Sequence, residues 1–183
     1  NGKKMRAKDS VRGGELAELS IVLEEETRWR PQAIPLNIVY EDESVLVINK
    51  PPGLVVHPGA GNMDGTLGNA LLHHAPELES VSRAGVVPRI DKETSGLLVI
   101  ARNLAAQNSV VEQLQARAFE REYEALTQTV MTAGGTVNAP IGRHPVNRTR
   151  QAVVEGGSGS RGKEAITHYR VLERFRAHTH IKV

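Results

Sequence analysis

The sequence predicts an α+β protein, a mixed, largely antiparallel sheet with helices packed against it. Three observations carry that expectation. Strand-like runs at residues 37–40 and 45–49 flank a polar turn, helix-periodic stretches cover 66–75 and 103–118, and further strand-like runs lie at 123–127, 166–172 and 177–183. Short apolar runs between turn residues read as strands, and apolar positions at i, i+3, i+4, i+7 read as helix.

Residues 1–26 hold Lys3, Lys4, Arg6, Lys8 and Arg12 close to Gly13-Gly14 and cannot bury a core alone, so a poorly anchored segment is expected. Residues 27–35, with Arg28-Trp29-Arg30-Pro31, read as a linker into a main domain at 36–183. Trp29 is either a docking anchor or an exposed linker residue. The first two strands are separated by Glu41 to Ser44, and Pro51-Pro52-Gly53 breaks the second. The glycines of His57-Pro58-Gly59-Ala60-Gly61-Asn62-Met63-Asp64-Gly65 satisfy neither nucleotide-loop spacing, leaving a flexible loop. In the first helix Leu67, Ala70, Leu71 and His74 form the stripe, and Pro76 ends it. Asn103 is a fair N-cap for the second helix, with Leu104, Val111, Leu114 and Ala118 as its apolar stripe. Gly134-Gly135 reads as a turn, residues from Pro140 through Arg150 as a long irregular stretch, and Gly156 to Ser160 as a flexible loop. In the last strand His178, His180 and Lys182 share one face.

At 183 residues, the chain can bury one good core, or one core plus a small appendage. Hydrophobic content of 39% and charged content of 24% are ordinary for a globular protein. No run approaches the ~20 apolar residues of a membrane span, the N-terminus is no signal peptide, and no membrane partner is expected. Without an initiator Met, the chain reads as beginning mid-domain or trimmed. The absence of cysteine excludes disulfides and thiolate metal sites and fits a reducing cytoplasm. His73-His74 diverge by about 100° on a helix, and His178 with His180 lacks a third partner, so no metal site is expected. Aromatics are 3% of the chain, so any base stacking rests on one or two rings. The net charge of +2 conceals a gradient: residues 141–183 carry nine Lys/Arg against three Asp/Glu. Such a basic end fits a phosphate-contacting surface.

The most informative stretch is Arg89-Ile90-Asp91-Lys92-Glu93-Thr94-Ser95-Gly96, followed by the apolar run Leu97-Leu98-Val99-Ile100-Ala101. A continuous apolar run reads as a buried strand, placing Asp91 on the loop that feeds it. In an extended backbone Arg89 and Asp91 project to the same side. Their pairing would lower the Asp91 pKa and keep the carboxylate ionised, as a nucleophile or base requires. Tyr123 reads either as a half-buried strand tyrosine or as an active-site ring.

These residues resemble the RluA-type pseudouridine synthases, whose motif H-R-L-D-x-x-T-S/T-G-L appears here as Pro88-Arg89-Ile90-Asp91-Lys92-Glu93-Thr94-Ser95-Gly96-Leu97. Tyr40-Glu41-Asp42-Glu43, Val47-Ile48-Asn49-Lys50-Pro51, Leu54-Val55-Val56-His57-Pro58-Gly59 and Arg121-Glu122-Tyr123-Glu124-Ala125 fit the same family at the expected separations. The resemblance implies the pseudouridine synthase fold with a central RNA-binding groove. It implies isomerisation of uridine in large-subunit ribosomal RNA, with Asp91 as the catalytic carboxylate and the target base flipped out. Arg89 would fill the vacated space or contact phosphate, and Tyr123 would support the uracil. His57, Arg143, Arg148 and Arg150 are the implied RNA contacts. Residues 1–26 would be the tail of an S4-like RNA-binding domain, and a cytoplasmic monomer is expected. Isomerisation balances without an energy source or redox partner, so neither a cofactor nor a nucleotide is expected. Two departures stand out. Pro88 replaces the family's His, and the sequence stops before a later G-R-T-H-Q-I-R motif, so 36–183 reads as the N-terminal part of a catalytic domain truncated at its C-terminus. The rival readings are a degenerate RNA binder without turnover and a carboxylate-pair hydrolase using Asp91 and Glu93. The second is disfavoured by two carboxylates lying too close on one strand face.

Overall fold

The computed structural model describes residues 29–59, 61–147, 150–154 and 162–183. Residues 1–26 and Arg148 lie outside them. The chain divides into two compact units, Asn1–Gln113 and Leu114–Val183, so the stretch expected as one catalytic domain contributes to both. The class is α+β, and every strand pairing among the described residues is antiparallel. The strands are shared among three sheets where one was expected.

The first unit is built on β1 (Ile38–Glu41), β2 (Val45–Lys50) and β3 (Gly96–Ala101), in the order β1-β2-β3. Asp42 makes the β1–β2 turn, its Oδ1 accepting from the Ser44 and Val45 N–H groups at 2.7 Å and its Oδ2 from the Tyr40 hydroxyl at 2.8 Å. Those hydrogen bonds, led by that from Val45, hold the Asp42 pKa below the usual carboxylate range. Alternation then sends Leu46 and Ile48 of β2 inward, where they lie opposite Ile100 and Leu98 of β3. Leu97, read as part of a continuous buried run, is 66% exposed. The run is apolar throughout, but only alternate members face the core.

Helix α1 (Leu67–His74) begins at a capping box in which Thr66 and Asn69 satisfy each other's backbone N–H groups. All residues from Leu67 to Leu72 are buried, so α1 is covered on more than one side. The cover comes from the segment expected as a linker. Gln32 N–H donates to Asn69 O at 3.0 Å, Asn69 Nδ2 to Arg30 O at 2.9 Å, and the Trp29 ring lies over Gly68. A Cβ on Gly68 would sit 2.8 Å from that ring, which is why glycine occupies the position. Trp29 is therefore a docking anchor. His74, placed by spacing on the apolar stripe, is exposed and contacts Glu41 at 3.1 Å.

Two 3-10 turns, Pro76–Ser80 and Ser82–Gly85, lead to Val86, which bridges to Ile100 of β3. Gly85 has φ +73°, and a Cβ there would meet the Ala101 carbonyl oxygen at 2.0 Å. Gly85→Ala is expected to destabilise the protein by at least about 2 kcal/mol, since strain and overpacking add; urea unfolding measures it. Helix α2 (Leu104–Gln115) is capped as expected, with Asn103 Oδ1 accepting from Ala106 N–H at 2.9 Å. Its inward face is Ala106, Gln107, Val110, Val111 and Leu114. Leu104, assigned to the stripe by spacing, is 66% exposed: in the first turn it lies off the face set by Val110. Ala118 falls beyond the helix and is exposed.

The second unit holds β4 (Glu124–Thr127), β5 (Gly135–Asn138), β6 (Ile141–Arg143), β7 (Gln151–Val153), β8 (Ile166–Arg174) and β9 (Thr179–Lys182). One sheet runs β4-β9-β8-β5 and the other pairs β6 with β7. Three expectations are corrected here. Gly134-Gly135 is not a free turn: Gly135 opens β5, and both glycines admit the backbone or ring of Tyr169 within 3 Å of where a Cβ would be. Ile141–Arg143 and Gln151–Val153 are not irregular but paired strands, with Ile141 opposite Val153 and Arg143 opposite Gln151. Just after the first, His144 Nδ1 accepts from Val146 and Asn147 N–H at 3.2 and 3.0 Å. Buried Thr179 ties β9 to the 129–131 loop, donating to Thr129 O and accepting from Met131 N–H. His178 belongs to the β8–β9 turn rather than to the strand face, and its carbonyl accepts from Phe175 N–H at 2.8 Å. On β9, His180 and Lys182 face Glu124 and Glu122.

Candidate active site

Asp91 sits where the sequence placed it, on the loop entering β3, and its side chain is exposed. The loop is firmly held. Asp91 O accepts from Thr94 N–H at 3.2 Å, closing a turn, while Lys92 O accepts from Gly53 N–H at 2.9 Å. Ile90 packs against the core behind it.

The strongest tether is a side chain that carried no predicted role. Lys50, the last residue of β2, is 0% exposed, and its Nζ donates to the carbonyls of Pro51 at 2.9 Å, Leu54 at 2.9 Å and Lys92 at 2.8 Å. Burial pushes its pKa below the usual lysine value, with Glu93 opposing the change. Three carbonyls need three N–H groups, and only the ammonium supplies them, so the geometry is that of the charged form. Its sequence signal was its phase, because Lys50 follows Leu46 and Ile48 on the inward side of β2.

The expected pairing of Arg89 with Asp91 is absent from the ion pairs of the described residues. The inference assumed an extended backbone, whereas Asp91 opens a turn. Arg89 is exposed, and with Arg83 it acts electrostatically on His57. His57 is half-buried, its ring centroid 5.5 Å from that of Trp29, and its Nδ1 is buried without a hydrogen bond. Burial first, and then the charges of Arg83 and Arg89, push the His57 pKa below its usual value, which favours the neutral ring.

The other candidates belong to the second unit. Tyr123 immediately precedes β4, exchanges backbone hydrogen bonds with Val183 at 2.9 and 2.8 Å, and is 39% exposed. Arg143, ending β6, and Arg150, just before β7, are exposed. Besides Lys50, sequence reasoning missed Arg83, whose position depends on a backbone conformation with no local signature except the glycine two residues later.

The first unit thus presents an exposed carboxylate, Asp91, on a hydrogen-bonded loop and two exposed arginines, Arg83 and Arg89. Residues 44–183 match the family model described as RNA pseudouridylate synthase, and the chain belongs to that family. It is 56% identical over its whole length to ribosomal large subunit pseudouridine synthase D of Yersinia pestis, covering 55% of that protein. The same-named protein of Pseudomonas aeruginosa is 54% identical over the whole chain, with 56% of its length covered. The chain thus spans about half the length of the curated relatives it matches. Among solved structures, human RNA pseudouridylate synthase domain containing 4 aligns with TM-score 0.58 at 26% identity, over 80% of this chain and 57% of that one. Human RNA pseudouridylate synthase domain containing 1 shares the fold at TM-score 0.63 and 24% identity, over 82% and 59%.

Proposed function

We propose that the protein isomerises uridine to pseudouridine in large-subunit ribosomal RNA, with Asp91 as the catalytic carboxylate. The observation that carries this reading is the exposed Asp91 on a turn whose neighbouring carbonyl is gripped by a buried ammonium. The reaction breaks the C1′–N1 bond, turns the uracil, and joins C1′ to C5; the C5 proton leaves and N1 gains one. Asp91 either attacks C1′ or removes the C2′ proton, and both roles need an ionised, fixed carboxylate. The freed uracil must be held beside C1′, a proximity effect. The base must first leave its stack, at a cost of about a few kcal/mol. Arg89 would hold phosphate or the vacated space, and one stacked ring, Tyr123, contributes roughly 1–3 kcal/mol. His57, Arg143, Arg148 and Arg150 complete the proposed RNA contacts. The same reading makes the protein a cytoplasmic monomer within a central groove-bearing fold, with residues 1–26 as the tail of an S4-like domain.

Release of tritium from C5-labelled uridine in ribosomal RNA tests the proposal. Stoichiometric release by the protein made from its complete reading frame is the expected result; tight binding without release would favour an RNA binder, the reading to which Pro88 lends support.

A further inference from the structure

We propose that Arg83, together with Arg89 and His57, forms a phosphate-binding subsite for the RNA strand that reaches Asp91. The inference rests on the RNA reading above and names a contact that the family motif does not. Arg83 and Ala84 both adopt left-handed backbone conformations, φ/ψ 57°/35° and 50°/40°, and Gly85 follows at φ +73°. Side chains other than glycine take that region at an energetic cost, and such strain persists only where the surroundings impose it.

Here they do. Ser82 O accepts from Gln107 Nε2 of α2 at 2.9 Å, Val86 N–H closes onto Arg83 O at 3.2 Å, and Gly85 lies under the Ala101 carbonyl. Ala84 and Gly85 are buried while Arg83 is exposed. The clamped turn therefore presents one guanidinium to solvent.

Its electrostatic setting points to an anion. Neither Arg83 nor Arg89 makes an ion pair among the described residues. Both press on the same imidazole, which is pinned against Trp29 and carries a buried nitrogen without a hydrogen bond. Two guanidiniums without ion pairs, both acting on one ring, give that place a positive potential that an anion would relieve. A phosphodiester suits the planar fork of arginine, which grips two oxygens at once.

The test measures affinity for a fluorescently labelled large-subunit ribosomal RNA transcript across a range of salt, using protein from the complete reading frame. Arg83→Gln and Arg83→Gly are each expected to weaken binding about tenfold. Each should also make the slope of log affinity against log salt shallower by about one. Arg83→Lys keeps the charge and should keep the slope. Arg83→Gly should melt no lower than wild type, because glycine takes positive φ without strain; a residue kept for structure would lower it. NMR titration should show the His57 pKa higher in Arg83→Gln and higher again in the RNA complex. Unchanged affinity and slope in both charge-removing variants would overturn the subsite, as would losses confined to variants that melt lower. Turnover in the same preparations separates the two readings. Normal binding without isomerisation by wild type sinks the enzyme assignment alone, whereas turnover with Arg83-independent binding sinks the subsite alone.

Discussion

Asp91→Asn is expected to lower uridine isomerisation about 10⁴-fold or more, the scale of losing a reactive group, while RNA affinity holds or rises slightly. The split follows from where Asp91 lies. Its side chain is exposed, and its part in the loop is played by the backbone carbonyl that accepts from Thr94 N–H. The near-isosteric amide leaves that bond intact, so stability should stay within about 0.5 kcal/mol. Binding should not suffer either, because the change removes a negative charge from a surface proposed to meet phosphates. Single-turnover tritium release beside salt-controlled binding reads both quantities. Glu93→Gln is the internal control. Glu93 lies two residues on, with an exposed contact to Lys92 at 3.8 Å and a minor electrostatic pull on Lys50, and its loss should leave turnover near wild type. Turnover surviving in Asp91→Asn would remove Asp91 from the chemistry. A large loss in Glu93→Gln as well would revive a paired-carboxylate mechanism.

Much of the first unit was legible because its signals are local. Asp42 at a turn, alternation through Leu46 and Ile48, the Asn103 cap and the breaks at Pro51 and Pro76 each act within a few residues. What escaped depends on distant partners. β5 begins at the second of two adjacent glycines, which read as a turn until Tyr169 is seen lying against them. β6 and β7 have three residues each, too few to show a period. At the site, the position of Asp91 was readable from the polar loop before an apolar run. The Arg89–Asp91 pairing was not, because turn geometry replaced the extended backbone it presumed. Arg83 had no readable role, since its left-handed turn is enforced by Ala101, Gln107 and Val86. Lys50 lay between these cases: phase put it inward, but only the fold shows which carbonyls it meets.

Lys50→Met is expected to damage both stability and rate. Methionine fills a similar volume but donates no hydrogen bond, leaving the Pro51 and Leu54 carbonyls without the lysine and Lys92 O with Gly53 N–H alone. Each buried acceptor left unsatisfied costs about 1–3 kcal/mol, and the gain from burying an apolar side chain offsets part of that. A net loss of about 3 kcal/mol is expected in urea unfolding. The kinetic effect has a separate origin. Lys92 O is one peptide from the Asp91 backbone, so freeing it lets the carboxylate wander, and a displacement of about 1 Å costs on the order of 10²-fold in rate. The loss should appear in kcat, with KM little changed, because the Arg83 turn is held independently by Gln107, Val86 and Ala101. Measurement well below the melting temperature keeps the two effects apart. A destabilised Lys50→Met that turns over at the wild-type kcat would make Lys50 a pillar of the core alone. A fall in kcat in folded protein would show that the buried ammonium positions the Asp91 loop.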